Sequence, residues 1–235
     1  MERQPDRRGL DTALSSVARI RQQLVEEGVD SILPPKRSPA SARRRIFVCL
    51  DETSKQLIAE TRVPIAAKPG QPERYDYEYE RNGTANLFML FAPLEGWRHV
   101  EVTDRHTALD YAQILKDLSD THFPKVDKIV LVQDNLNTHK PASLYEAFPA
   151  AEARRLVERF EWHYTPNHGS WLDMAESELG ILSSQCLDRR IPDKQTLIEE
   201  VAAWEGDRNK HHAKADWQFI TADARVKLKR LYPVL

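Results

Sequence analysis

Three acidic positions in this chain could carry metal-dependent chemistry. Asp51 and Asp134 each follow a short apolar run, and a later apolar helix carries Glu176 and Glu178. In open α/β sheets, ligands bind at the carboxyl ends of strands, so neighbouring strands would bring Asp51 and Asp134 to one rim. Carboxylates held together repel one another, and hard divalent cations relieve that repulsion. The pattern predicts a two-metal site that activates a nucleophile and stabilises the leaving oxygen of a phosphodiester.

The alternative interpretation is that these acids are solvated caps at the ends of strands and helices, which is common for Asp and Glu. Helical angles of about 100° per residue place Glu178 within the apolar stripe that includes Ala175 and Leu182, and Glu176 on its flank. This pattern does not choose between the two glutamates as the third ligand.

The elements that must position these acids predict an α/β domain with a mixed central sheet and no internal repeat. Apolar runs and period-2 alternation predict strands, at Ile46–Leu50, Leu57–Arg62, Tyr75–Glu80, Leu87–Ala92, Trp97–Thr103, Lys128–Val132 and Phe160–Thr165. The pair Asn82-Gly83 predicts a turn. Apolar spacing of three and four predicts helices, at Thr107–Ser119, Ala142–Phe148, Ala151–Arg159, Ser170–Leu187 and Lys194–Arg208. Thr107 is the expected cap of the first of these helices, and Asp193 is expected to start the last.

The composition predicts a globular protein without a membrane anchor. Of the 235 residues, 41% are hydrophobic and 30% are charged, and the longest apolar stretches fall far short of the roughly 20 residues that a membrane helix needs. The charged start lacks the apolar segment of a signal peptide, and two cysteines, Cys49 and Cys186, fit a reducing cytoplasm. Residues 46–185 carry 14 basic and 22 acidic side chains, which argues against a surface that merely coats DNA phosphates.

Three stretches of the sequence resemble the signature blocks of a known enzyme family. They are Leu50-Asp51-Glu52-Thr53, Gln133-Asp134-Asn135-Leu136-Asn137-Thr138-His139 and Gly169-Ser170-Trp171-Leu172-Asp173-Met174-Ala175-Glu176. The family is that of the mariner-like bacterial insertion-sequence transposases, numbered six-thirty, and the resemblance runs from about Ile46 to Pro233. The third block favours Glu176, because the family places its acid four residues after a Leu, here Leu172. Asp173 stands where the family usually has Asn, so Glu178 stays open.

The resemblance implies a ribonuclease-H-like fold, with a mixed five-stranded sheet flanked by helices. It also implies that Asp51, Asp134 and Glu176 form a DDE catalytic triad that holds two Mg²⁺ or Mn²⁺ ions. Such enzymes hydrolyse double-stranded DNA at transposon ends and then join the freed 3′-hydroxyl to target DNA, a reaction that pairs two ends and implies a homodimer. Asn135 and His139 match the second block. We expect them beside the metals, either positioning DNA or acting as a local cap and a local hydrogen-bonding residue.

The residues before the catalytic domain predict a short helical arm. Ser15–Leu33 resembles the recognition helix of the family's first helix-turn-helix, with Arg19 and Arg21 able to reach DNA. We divide the chain into an arm at 1–33, a basic linker rich in Pro, Ser and Arg at 34–45, and a catalytic domain at 46–235. The linker stands where the family has a second helix-turn-helix. A truncated transposase with weakened recognition of transposon ends is therefore expected.

Two other functions stay open at this stage. Another metal-dependent nuclease of the same fold would cleave DNA without joining a 3′-end to a target. A catalytically silent remnant that binds DNA or dimerises would need no divalent cation at the rim. A strand-transfer assay and a metal titration separate these from a transposase.

Overall fold

The computed structural model describes residues 44–165 and 173–214, which form one mixed sheet covered by helices on both faces. The five strands are β1 Arg45–Glu60, β2 Tyr79–Ala92, β3 Trp97–Thr103, β4 Lys128–Gln133 and β5 Phe160–Tyr164. Their order across the sheet is β3-β2-β1-β4-β5. The pairs β1–β2 and β2–β3 are antiparallel, whereas β1–β4 and β4–β5 are parallel. The predicted mixed five-stranded sheet is confirmed.

Within the described residues, five helices connect and cover the strands. They are α1 Ala108–Asp117, α2 Pro141–Ala147, α3 Ala150–Arg159, α4 Met174–Leu182 and α5 Lys194–Lys210. Wider helical turns continue α1 over Leu118–His122 and α4 over Ser183–Leu187. The predicted cap Thr107 forms a reciprocal capping box with Asp110 at the start of α1. No helix within the described residues is both long enough and apolar enough to cross a membrane.

The sheet separates two apolar layers, and the alternation of β1 assigns its residues to one or the other. Phe47 and Cys49 pack in the layer that contains α4 and α5. Val48 and Leu50 pack in the opposite layer, with α1, α2 and α3. Because successive side chains of a strand point to opposite faces, the side chain of Asp51 lies on the face with α4, and that of Glu52 lies on the face with α1.

The first strand and the segment after it differ from the prediction. The runs predicted as two strands belong to one 16-residue strand, Arg45–Glu60. Tyr75 and Tyr77 precede β2 and are 66% and 84% exposed, so the predicted strand with one buried face is wrong there. Period-2 alternation predicts a strand only where a partner strand and an apolar layer are present. Residues 61–78 instead carry two isolated bridges, Ile65 to Arg74 and Lys68 to Gln71.

The predicted turn at Asn82-Gly83 lies inside β2 and forms an irregularity in the strand pairing. Gln56 pairs with Thr84, but Ile58 pairs with Arg81, so the register shifts at this point. Gly83 has a φ of +92°, a conformation that glycine adopts without steric cost. The predicted turn is instead a bulge, because the long strand β1 pairs with β2 on both sides of this point.

Candidate active site

Strand register brings Asp51 and Asp134 to the same rim of the sheet. The parallel pairing of β1 with β4 ends at Leu50 opposite Gln133, and each acid is the next residue of its chain. Asp134 follows the last residue of β4, so the register, and not strand alternation, places it beside Asp51 at this rim.

The first turn of α4 carries the third acid. Asp173 caps this helix, and its side chain accepts a hydrogen bond from the backbone N–H of Ala175 at 2.9 Å. Met174 and Ala175 are buried against the sheet, whereas Glu176 is exposed in the first turn. The positive end of the helix dipole favours a carboxylate at this position.

The electrostatics of Asp51 indicate that the acids act on one another. Burial, and after it the negative charges of Glu52, Asp134 and Glu176, raise the pKa of Asp51 to about 7, although a hydrogen bond from the backbone N–H of Glu52 opposes the rise. Positive charge placed beside such a carboxylate would favour its ionised form. The rim is therefore an anionic site that lacks sufficient positive charge of its own.

Glu178 has a different environment from Glu176. Its side chain is buried, and its Oε1 atom lies 2.8 Å from Nε of Arg98 and 2.8 Å from Nε of Arg208. Arg98 on β3 is itself fully buried. The position of Glu178 within the apolar stripe is confirmed, and its carboxylate is already neutralised by two arginines. The geometry favours Glu176 as the acid available at the rim.

His139 lies between two of the acids. Its Nδ1 atom is 2.5 Å from Oδ1 of Asp134, and its Nε2 atom is 3.1 Å from Oε2 of Glu52. Burial alone would lower the pKa of His139, but hydrogen bonds to Asp134 and Glu52 outweigh it and raise the pKa to about 9. The ring is 1% exposed, which leaves it little surface for DNA and fits the local hydrogen-bonding role. Asn135 is exposed beside it.

Sequence reasoning did not single out Glu52. It follows Asp51 directly within the first signature block, and a second acid next to a strand-end acid is a visible signal. Its partner His139 is 87 residues further along the chain, so the contact itself was not readable. The predicted DNA contacts Arg19 and Arg21 lie outside the described residues.

The residues at the rim fit a divalent cation by their chemistry. Mg²⁺ and Mn²⁺ prefer oxygen ligands, and carboxylates supply them with compensating charge. Within residues 44–165 and 173–214, no three His, Cys, Asp or Glu side chains form a preformed metal cage. The observation that fits a cation is the repulsion of Asp51 by the negative charges of Glu52, Asp134 and Glu176.

Comparisons with known proteins agree with this architecture. Residues 46–198 match the family described as DDE superfamily endonuclease. Among solved structures, the chain is similar to the Mos1 transposase paired-end complex with left transposon end, at 14% identity and a TM-score of 0.53 over 97% of this chain and 62% of that chain. It is also similar to the Mos1 mariner paired end complex with Mn, at 14% identity and a TM-score of 0.50 over 90% and 59% of the two chains.

A third structure, the Mos1 Strand Transfer Complex, matches at 15% identity and a TM-score of 0.50, over 90% of this chain and 58% of that chain. At these identities the likeness concerns the fold, and the chain spans about three fifths of the length of the structures it matches. No curated protein matched the chain.

Proposed function

This chain belongs to the DDE superfamily endonuclease family, and from that premise we propose that it is the catalytic part of a DNA transposase. Its substrates are the phosphodiesters at transposon ends, which it hydrolyses, and target DNA, to which it joins the freed 3′-hydroxyl. Asp51, Asp134 and Glu176 are the catalytic residues, and they hold two Mg²⁺ or Mn²⁺ ions.

The observation that carries this proposal is the electrostatic coupling at the rim. Asp51 is ionised with difficulty, because it is buried and because Asp134 and Glu176 add negative charge to its surroundings. Parallel register supports the pairing of the two aspartates, and the first turn of α4 supports the inclusion of Glu176. The two arginine partners of Glu178 support the choice of Glu176 over Glu178 for the triad.

The three acids have distinct tasks in the proposed mechanism. Divalent cations bound there would activate the attacking hydroxyl and stabilise charge on the leaving oxygen. Asp51 lies in β1, and Asp134 directly follows β4, the adjacent parallel strand. Glu176 would add the third carboxylate from the first turn of α4. Water and a 3′-hydroxyl can serve as alternative nucleophiles, so one site performs both reactions.

The proposed partners follow from the reaction. Pairing two transposon ends requires two catalytic sites, so the active form is proposed to be a homodimer on double-stranded DNA. The solved structures that the fold resembles are transposase complexes, one of them with a left transposon end. Asn135 is exposed next to Asp134, which suits a contact with the DNA strand. A cytoplasmic location is proposed from the sparse cysteine content.

The experiment that tests the function is Mn²⁺-dependent nicking of supercoiled plasmid. Asp134→Ala is expected to abolish nicking while the far-UV circular dichroism spectrum is retained. Asp104→Ala is the matched control, because Asp104 pairs with Lys194 at a site where its own side chain is 82% exposed. Retained nicking by Asp134→Ala would refute the assignment.

A second assay separates a transposase from a nuclease of the same fold. Labelled transposon-end DNA with a free 3′-hydroxyl is incubated with plasmid, Mn²⁺ and the protein, and covalent joining is measured on a denaturing gel. A transposase produces joined product, whereas a simple nuclease produces only nicked plasmid. Loss of joined product in Asp51→Asn links that activity to the rim.

A further inference from the structure

A carboxylate–imidazole–carboxylate bridge lies behind the proposed metal site. His139 contacts Oδ1 of Asp134 through Nδ1 at 2.5 Å and Oε2 of Glu52 through Nε2 at 3.1 Å. An ionised carboxylate oxygen can only accept a hydrogen bond, so Nδ1 is the donor to Asp134, and Nε2 lies within ion-pair distance of Glu52. The bridge therefore connects the ends of the adjacent parallel strands β1 and β4 through side chains.

The imidazole ring is fixed by a closed set of buried contacts. It stacks on Tyr111 of α1, with ring centroids 4.8 Å apart. The Tyr111 hydroxyl donates to Oε1 of Gln133 at 2.7 Å, and Nε2 of Gln133 donates to the backbone carbonyl of His139 at 2.8 Å. Tyr111 and Gln133 are both fully buried. A ring held in this way has little freedom to rotate away from Asp134.

Glu52 is placed to hold the ring and not to hold a metal beside Asp51. The two acids are consecutive in β1, so their side chains leave the strand on opposite faces. Asp51 lies on the face of the sheet that α4 covers, whereas Glu52 lies on the face that packs against Tyr111 of α1. The side chain of Glu52 is 14% exposed, and its described ion-pair partner is His139.

The hydrogen bonds of Asp134 are directed to one of its two oxygens. Among the described residues, Oδ1 accepts from His139 and from the backbone N–H of Leu136 at 3.3 Å. We propose that His139 and Glu52 are positioning residues that fix Asp134 through Oδ1 and reserve its Oδ2 atom for the metal. This inference rests on the proposed function, since it assigns Asp134 as a ligand. Loss of such supporting contacts typically weakens metal binding 10- to 100-fold.

Two substitutions at position 139 separate positioning from packing. His139→Asn can keep a donor at the location of Nδ1, which faces Asp134. His139→Gln can keep a donor at the location of Nε2, which faces Glu52. Both remove the aromatic stack on Tyr111, so a purely structural role predicts similar behaviour for the two.

The measured quantities are the Mn²⁺ dissociation constant of the full chain, from electron paramagnetic resonance of free Mn²⁺, and the melting temperature without metal. We expect His139→Gln to weaken Mn²⁺ binding about 10- to 100-fold and His139→Asn to bind within a few-fold of wild type. Glu52→Gln keeps an acceptor for the ring and should weaken binding less than Glu52→Ala. Equal Mn²⁺ affinity of wild type, His139→Gln and Glu52→Ala would overturn the proposal.

His99 provides the matched control, because it is also held by two carboxylates but lies on β3. Its ring nitrogens contact Glu205 at 3.1 Å and Glu101 at 3.4 Å. His99→Gln should lower the melting temperature and leave the Mn²⁺ affinity unchanged. If His139→Gln does not fold, Glu52→Ala alone decides between weakened and unchanged binding.

Failure of the proposed function has a different signature. Wild type and Asp134→Ala would then bind Mn²⁺ equally, or neither would bind it. Failure of the positioning role alone leaves binding lost in Asp134→Ala but unchanged in His139→Gln and Glu52→Ala.

Discussion

Glu178→Gln tests whether the two glutamates of α4 have been assigned correctly. The substitution keeps the size of the side chain but removes the charge that Arg98 and Arg208 share. Breaking a buried ion pair by removing one partner costs about 3–5 kcal/mol, because it leaves an uncompensated buried charge. Arg98 keeps a hydrogen bond to the carbonyl of Ala213 at 2.5 Å, and the Arg208 side chain is 19% exposed. We therefore expect the free energy of unfolding to fall by about 3 kcal/mol, the lower end of this range.

That loss corresponds to a fall in melting temperature of about 6–12 °C for a domain of this size. The assay is thermal unfolding followed by circular dichroism, combined with Mn²⁺ titration of the same samples below their transitions. Glu176→Gln is the matched control. Because the Glu176 side chain is exposed, the free energy of unfolding should change by no more than about 0.5 kcal/mol. Its Mn²⁺ binding, however, should be weakened. Glu178→Gln should bind Mn²⁺ like wild type. An unchanged melting temperature for Glu178→Gln, or loss of metal binding in the folded variant, would refute the reasoning.

Three further predictions concern pH, backbone strain and metal binding. Burial lowers the pKa of His99, but hydrogen bonds to its two glutamate partners raise the pKa to about 9 from the usual 6.5. The protonated ring therefore stabilises the folded protein fully below pH 6.5, and this stabilisation is lost as the pH rises through about 9. Over this pH range the melting temperature of wild type should fall more steeply than that of His99→Gln. Gly96→Ala should destabilise the protein by more than about 1 kcal/mol, because φ is +63° and the added Cβ would lie 2.5 Å from the carbonyl oxygen of His212. Gly70→Ala, at φ +78° with no atom within 4 Å, isolates the conformational cost, and chemical denaturation of both variants measures the difference. Mn²⁺ at 100 times its dissociation constant should stabilise wild type by about 2.7 kcal/mol, and thermal unfolding of Asp51→Asn should show no such gain.

The strands and helices around the site could be predicted from the sequence, because the signals for them lie within a few residues. The apolar runs before Asp51 and Asp134 predicted strands, and their continuous burial is what the interior of a sheet covered on both faces requires. Thr107 predicted the start of α1 because a capping residue acts on backbone groups within one turn. Asp193 predicted the start of α5 for the same reason, and its side chain accepts from the backbone N–H of Thr196.

Structural features that depend on residues far apart in the chain could not be predicted from the sequence. The Asn82-Gly83 pair supports a positive φ in a turn and in a bulge alike, and only the pairing with β1 selects the bulge. The burial of Glu178 was visible in the helical angles, but its arginine partners were not. Arg98 precedes it by 80 residues, and neither sequence neighbourhood signals that the two side chains meet.

The balance of charge at the rim explains why metals, and not further ion pairs, are the expected partners. Among the described residues, no lysine or arginine forms an ion pair with Asp51, Asp134 or Glu176. Glu178, only two residues after Glu176, has two arginines. His139, which contacts Asp134 and Glu52, leaves the repulsion on Asp51 in place. In the proposed function, the divalent cations offset that repulsion, and entry of a DNA phosphate at the rim would depend on them.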